Sequence, residues 1–365
     1  MTNTASFLLR RCCLAVVLPL AATGLAAESV FPGTDWETRT PSAVGLDGAK
    51  LQALGGLAGG RGCVVRHGYL VHRWGDYKKT ADVASACKPF FAHFLFKALE
   101  DGKVPRLDEK VIRWEPRLGD INRTLGHKDR DIEWRHFAYQ TSCYQVQDEP
   151  GTAFCYNDWQ MALFWDTLFG KVYGVSGKDV NEKVFRPLLV GPLQCQDGPI
   201  DRGGRVSISP RDFCRFGLLY LHRGNWSGQR LLREDYAVKA VSSPLPADFP
   251  RAGTQIAEMI PGQRTIGSKS EPDNQCDHEG SYSYCWWVNG LNRDGQRLWP
   301  GVPEDAYGAF GHGGIRAMVV IPSLDVIVSW NETQLRGWSK VGQGLELIVG
   351  ANLGKVADET LEIDR

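Results

Sequence analysis

The sequence predicts an α+β fold, with an antiparallel sheet built from both ends of the chain and a mostly helical region inserted between them. Three observations predict it. Strand-length apolar runs flank a glycine near residue 68, and apolar residues at helical spacing fill the middle of the chain. Short β-rich runs then return near the C-terminus, ahead of a closing helix. The 365 residues suit one large or two interlocked domains, and 43% hydrophobic residues supply a substantial core. The expected division is an export signal at 1–27, a sheet part from 28–84 and 278–365, and a mostly helical part with surface loops at 85–277.

A first helix is expected over about 47–57, where Leu51, Leu54 and Leu57 share a face. Residues 63–74 read as two strands around a turn at Gly68. From Ser85 to about Asp101, Phe90, Phe91, Phe94, Leu95 and Leu99 predict a helix buried on most sides. Residues 104–241 read as helical and loop-rich, with helices over 159–169 and 210–221; Ser209 caps the latter and Pro210 takes its first turn. Pro, Gly and polar residues over 245–277 read as a long surface excursion. Strands are expected at 282–288, 315–321 and 326–330, the last two joined by a tight turn over 322–325, and a helix at about 341–353 closes the chain. Trp286 and Trp287 alternate across the first of these strands, so one faces the core and the other is free to face a cleft.

Lys+Arg and Asp+Glu total 42 each, so nothing draws the protein electrostatically to nucleic acid or to an anionic membrane. Arg10 and Arg11, an apolar stretch over 12–22 and the small residues after it form the pattern of a cleavable export signal. That pattern predicts a periplasmic or secreted protein with no stable membrane insertion after signal removal. Export leaves eight of the ten cysteines in an oxidising compartment, where Cys143 with Cys155 and Cys276 with Cys285 would each close a short polar loop. No CxxC or HExxH spacing occurs, so neither a metal nor an organic cofactor is expected.

Three strings carry the chemistry: Ser85-Ala86-Cys87-Lys88, Tyr156-Asn157-Asp158 and His312-Gly313-Gly314. A serine hydroxyl needs a neighbouring base to become a nucleophile, and a residue three positions on along a helix lies beside it. At the start of a helix, Ser85 also has free N–H groups and a favourable dipole near any oxyanion. Tyr156 offers a second proton carrier, and the glycines after His312 let a strand edge come close to a bound acyl group. A single Ser-x-x-Lys is expected by chance in a chain this long, so the weight rests on all three strings in this order.

In that order and at those separations, the strings resemble the active-site elements of the serine β-lactamase and penicillin-binding-protein-like hydrolases. The resemblance spans nearly the whole mature chain, including 41–46 and the segment 203–212. It implies the β-lactamase/transpeptidase-like fold, with Ser85, Lys88 and Tyr156 as catalytic residues and Tyr156 favoured as general base. It also implies that Asp158, His312, Gly313 and Gly314 contact substrate, and that the Ile315 and Ser85 N–H groups form the oxyanion hole. Two departures matter. Asp158 replaces the family's asparagine, an acceptor-only group that favours the ammonium form of Lys88. His312 replaces a lysine that holds a substrate carboxylate, so the sequence leads us to expect no fixed anion anchor and a preference for neutral esters. The expectation is an exported hydrolase of a small-molecule ester, amide or peptide, acting through an acyl-enzyme on Ser85. The alternatives are a β-lactamase or DD-peptidase, or a non-catalytic binding or sensor domain on the same fold.

Overall fold

The structure, a computed structural model, describes Met1, residues 30–196 and residues 202–354. Apart from Met1, the export signal expected at 1–27 lies outside the described residues. Eleven strands occur among the described residues. The first six are β1 (Arg61–Arg66), β2 (Tyr69–Trp74), β3 (Ala81–Asp82), β4 (Ser207–Ile208), β5 (Asn225–Trp226) and β6 (Gln229–Arg230). The rest are β7 (Tyr282–Ser283), β8 (Trp286–Val288), β9 (Tyr307–Gly311), β10 (Arg316–Ile321) and β11 (Val326–Asn331). Seven form one antiparallel sheet in the order β2-β1-β11-β10-β9-β8-β7, so the N-terminal hairpin pairs directly with the C-terminal strands. The remaining four make two small ribbons, β3 with β4 and β5 with β6.

The α-helices are α1 (Gly48–Ala58), α2 (Lys88–Glu100), α3 (Trp134–Tyr139), α4 (Asp158–Thr167), α5 (Pro210–Leu221), α6 (Glu234–Ser242) and α7 (Trp338–Ala351). Strand alternation divides the apolar residues between two layers. Val64, Val319 and Val328 face α1 and α7 through Leu51, Leu54, Leu345 and Ile348. Cys63, Val65, Met318, Val320 and Ile327 face the other way, into a core shared with α2 and α5. Gly217 lets α5 lie tightly on that face, because a Cβ there would press on Met318 and Ile327. The result is a three-layer α+β fold, as expected, with a large helix- and loop-rich region between the two halves of the sheet.

Several expectations are corrected. The segment over 282–288 is a hairpin, β7 turning into β8 through Tyr284 and Cys285, both at positive φ. Strand β9 was not anticipated. The string His312–Gly314 forms a turn between β9 and β10 with all three residues at positive φ, and does not continue a strand. The cysteines over 63–285 are all free thiols, so neither expected disulfide forms. Cys143 and Cys155 instead donate to the Ala153 and Asp273 carbonyls, and Cys285 to that of Ala138, which gives each buried thiol an acceptor.

Candidate active site

Ser85 sits on a one-turn 3₁₀ helix, Ala84–Cys87, that leads into α2. The turn is held from several sides. Ala84 takes a left-handed conformation (φ 52°), a strained one for alanine, and its N–H donates to the Asp82 carboxylate at 2.7 Å. Asp82 is gripped by both arms of Arg205, at 3.2 and 2.7 Å, and the Val83 N–H donates to the Val206 carbonyl. The segment 203–212 therefore anchors the Ser85 turn and then starts α5 through the Ser209 cap. Below the turn runs Gly311, where a Cβ would collide with the Val83 carbonyl oxygen and crowd Ala84 and Ala86.

Lys88 Nζ donates to Ser85 Oγ at 2.9 Å and to Asp158 Oδ1 at 3.0 Å. It also stands 4.3 Å from the centre of the Tyr156 ring. Tyr156 lines the same cleft as Ser85. The structure thus brings all three residues together with Asp158. Burial alone would push the Lys88 ammonium towards neutrality, but Asp158 and Tyr156 outweigh it and hold Lys88 above the ordinary lysine value. Burial raises the Asp158 carboxyl, yet Lys88 and the Ser268 N–H, 2.9 Å away, bring it below the usual carboxylate range. Burial pushes the Tyr156 phenol up to about 12 against the pull of Lys88. The resting proton pattern at pH 7 is therefore ammonium, carboxylate and neutral phenol.

Tyr156 and Asp158 are fixed by their neighbours. Asn157 caps α4, its Oδ1 accepting from the Trp159 and Gln160 N–H groups at 2.8 and 2.9 Å. Its amide nitrogen donates to the Tyr144 carbonyl, and its own N–H donates to Gln140 Oε1. The Asp158 N–H donates to Asp273 Oδ2 at 2.7 Å. Asp273 was missed in the sequence, because it lies in the polar excursion with no local signal that it would return to the site.

His312 begins the turn across the cleft, also at positive φ (49°). The turn is tied to the C-terminal helix by the Gly337 N–H, which donates to the Gly313 carbonyl at 2.6 Å. Among the described residues neither the Ser85 nor the Ile315 N–H has an acceptor. Burial lowers the His312 imidazole, and Arg316 and Arg205 lower it further, with Arg336 adding to the effect. Arg205 is engaged with Asp82, but Arg316 and Arg336 have no ion pair among the described residues. Arg316 follows His312 by four residues, whereas the fold brings Arg336, from the loop before α7, to the same turn.

Between these elements lies a cleft of about 240 Å³, lined by Ser85, Tyr156, His312, Trp287, Phe310 and Trp338 among others. Trp287 is the cleft-facing member of its pair, and Trp286 is buried in the core with α5.

No protein-family model and no curated protein matches the chain. Solved structures do. A β-lactamase from Mycobacterium bovis is 17% identical, with a TM-score of 0.56 over 83% of this chain and 100% of its own. A penicillin-binding protein homologue from Caulobacter crescentus is 12% identical, with a TM-score of 0.58 over 87% of this chain and 100% of its own. EstCE1, a hydrolase with promiscuous acyltransferase activity, is 12% identical, with a TM-score of 0.57 over 84% of this chain and 98% of its own. The chain therefore has the fold shared by β-lactamases, penicillin-binding protein homologues and esterases of this kind. At these identities the likeness speaks to fold alone.

Proposed function

We propose that this chain is an exported serine hydrolase that cleaves a small ester or amide through an acyl-enzyme on Ser85. The observation that carries the reading is the 2.9 Å hydrogen bond from Lys88 Nζ to the Ser85 hydroxyl in an open cleft that Tyr156 also lines, with the Tyr156 ring 4.3 Å from that ammonium. Ser85 Oγ attacks the substrate carbonyl and forms the new C–O bond, while the Ser85 and Ile315 N–H groups receive the oxyanion. Lys88, kept charged by Asp158, cannot accept the serine proton. The serine proton moves to the Tyr156 oxygen in the same step in which the phenol's own proton moves to the leaving oxygen or nitrogen and that bond breaks. No tyrosinate accumulates in such a relay, consistent with a phenol near 12. Lys88 stabilises the charge that develops on both oxygens. Water then repeats the sequence against the acyl group and restores Ser85.

One observation favours a second reading. Unpaired Arg316 and Arg336 beside His312 offer positive charge to a substrate carboxylate, which fits a β-lactamase or DD-peptidase. A panel of neutral esters, D-amino-acid amides and β-lactams, offered to wild type and to Ser85→Ala, separates these readings. Turnover by wild type and none by the variant is expected. Equal turnover by both would remove Ser85 from the chemistry, and binding without turnover by wild type would favour a sensor domain.

A further inference from the structure

We propose that the cleft selects substrates whose acyl group is a single aromatic ring on a short stem, about the size of phenylacetyl. This rests on the acyl-enzyme reading of Ser85 and specifies what that enzyme accepts.

The cleft walls are aromatic. Trp287, Phe310 and Trp338 line it beside Tyr156, and among the described residues no aliphatic side chain does. The rings brace one another. Trp287 and Trp338 have centroids 4.7 Å apart, Phe310 and Trp338 5.2 Å, and Tyr156 and Trp287 6.3 Å. Behind them the fully buried Trp299 packs on Phe310 at 5.3 Å and on Trp338 at 6.1 Å. Trp338 is further fixed by the backbone bond that ties Gly337 to the His312 turn. A wall of interlocked rings has few alternative packings, so the cleft keeps its shape rather than opening for a longer chain. Its volume of about 240 Å³ lies below the range of about 300–1,000 Å³ that suits drug-sized ligands. Flat faces and edges at these separations accept another ring in an edge-on or offset arrangement, which a flexible alkyl chain cannot reproduce. The acyl group stays on Ser85 through both half-reactions, so it is the part of the substrate that a permanent wall discriminates.

The test is an acyl series on one leaving group: 4-nitrophenyl acetate, butyrate, phenylacetate and decanoate, each rate divided by its uncatalysed hydrolysis. For wild type, phenylacetate should exceed both acetate and decanoate in kcat/KM by about tenfold or more. Trp338→Ala should cut the phenylacetate-to-acetate ratio by about tenfold and raise decanoate, whereas Trp338→Phe should keep most of the wild-type ratio. A wild-type ranking with acetate or decanoate at or above phenylacetate overturns the proposal, whether or not the variants fold. An unchanged ratio in folded Trp338→Ala also overturns it. Intact mass separates this from failure of the parent reading. No acyl adduct with any ester removes the hydrolase itself, while an adduct on Ser85 with rates indifferent to the acyl group removes only the selectivity.

Discussion

Asp158→Asn restores the asparagine of the related pattern and tests the electrostatics of the site directly. The Lys88 and Asp158 side chains are 1% and 7% exposed, with their charged atoms 3.0 Å apart. At an effective dielectric of about 20 the attraction is about 5 kcal/mol, and removing one partner strands a buried charge. Asparagine keeps an acceptor for either Lys88 or the Ser268 N–H, so the net loss should be about 2–4 kcal/mol at pH 7. The carboxyl is depressed in the fold and the ammonium raised. The pair's contribution is therefore complete between the unfolded values of about 4 and about 10.4, and disappears as pH falls through the folded value of Asp158. Urea unfolding should show the full difference between wild type and variant at pH 7 and a smaller one at pH 3. With the carboxylate gone, burial lowers Lys88, so the variant's pH–rate profile should acquire an ionisation that wild type lacks in the accessible range. A variant within about 0.5 kcal/mol of wild type, with the same profile, would refute this reasoning.

Gly311→Ala should push β9 away from the nucleophile's turn and lower kcat/KM by about 10²-fold, measured with the best ester, while far-ultraviolet dichroism stays native. Asn157→Ala removes the cap of α4 and leaves buried partners unmatched; a stability loss of about 2–3 kcal/mol should appear in urea unfolding, together with a fall in kcat. Arg316→Gln should lower kcat/KM for a carboxylate-bearing substrate relative to its methyl ester by about three- to tenfold, and His312→Lys should raise that ratio. A ratio that ignores both changes would place the anion contact elsewhere.

Where local chemistry dictates structure, the sequence was read closely. The helix over 210–221 appears with both boundaries as expected, because a serine cap followed by proline fixes its start. Ser85, Lys88 and Tyr156 are legible as candidates because helical spacing and a short motif place them. Strand β9 was missed because Tyr307-Gly308-Ala309-Phe310-Gly311 carries two glycines and little β-branched character. Those glycines are explained only by the fold: Gly308 lies against Phe310 and the Met318 carbonyl, and Gly311 under the nucleophile's turn. The turn at Tyr284 and Cys285 has no turn residues; both are buried in the core at positive φ, which no local sequence signal announces. Asp273 and Trp338 have a common reason for lying outside the sequence reading: each reaches the site from a distant segment.

Incubation of the protein with a 4-nitrophenyl ester, quenching in acid and peptide mapping by mass tests the proposed chemistry most directly. One acyl group should be found on the peptide carrying Ser85, and none on that peptide in Ser85→Ala. Turnover without an adduct on Ser85, or an adduct only on the cleft thiol Cys276, would contradict a serine acyl-enzyme.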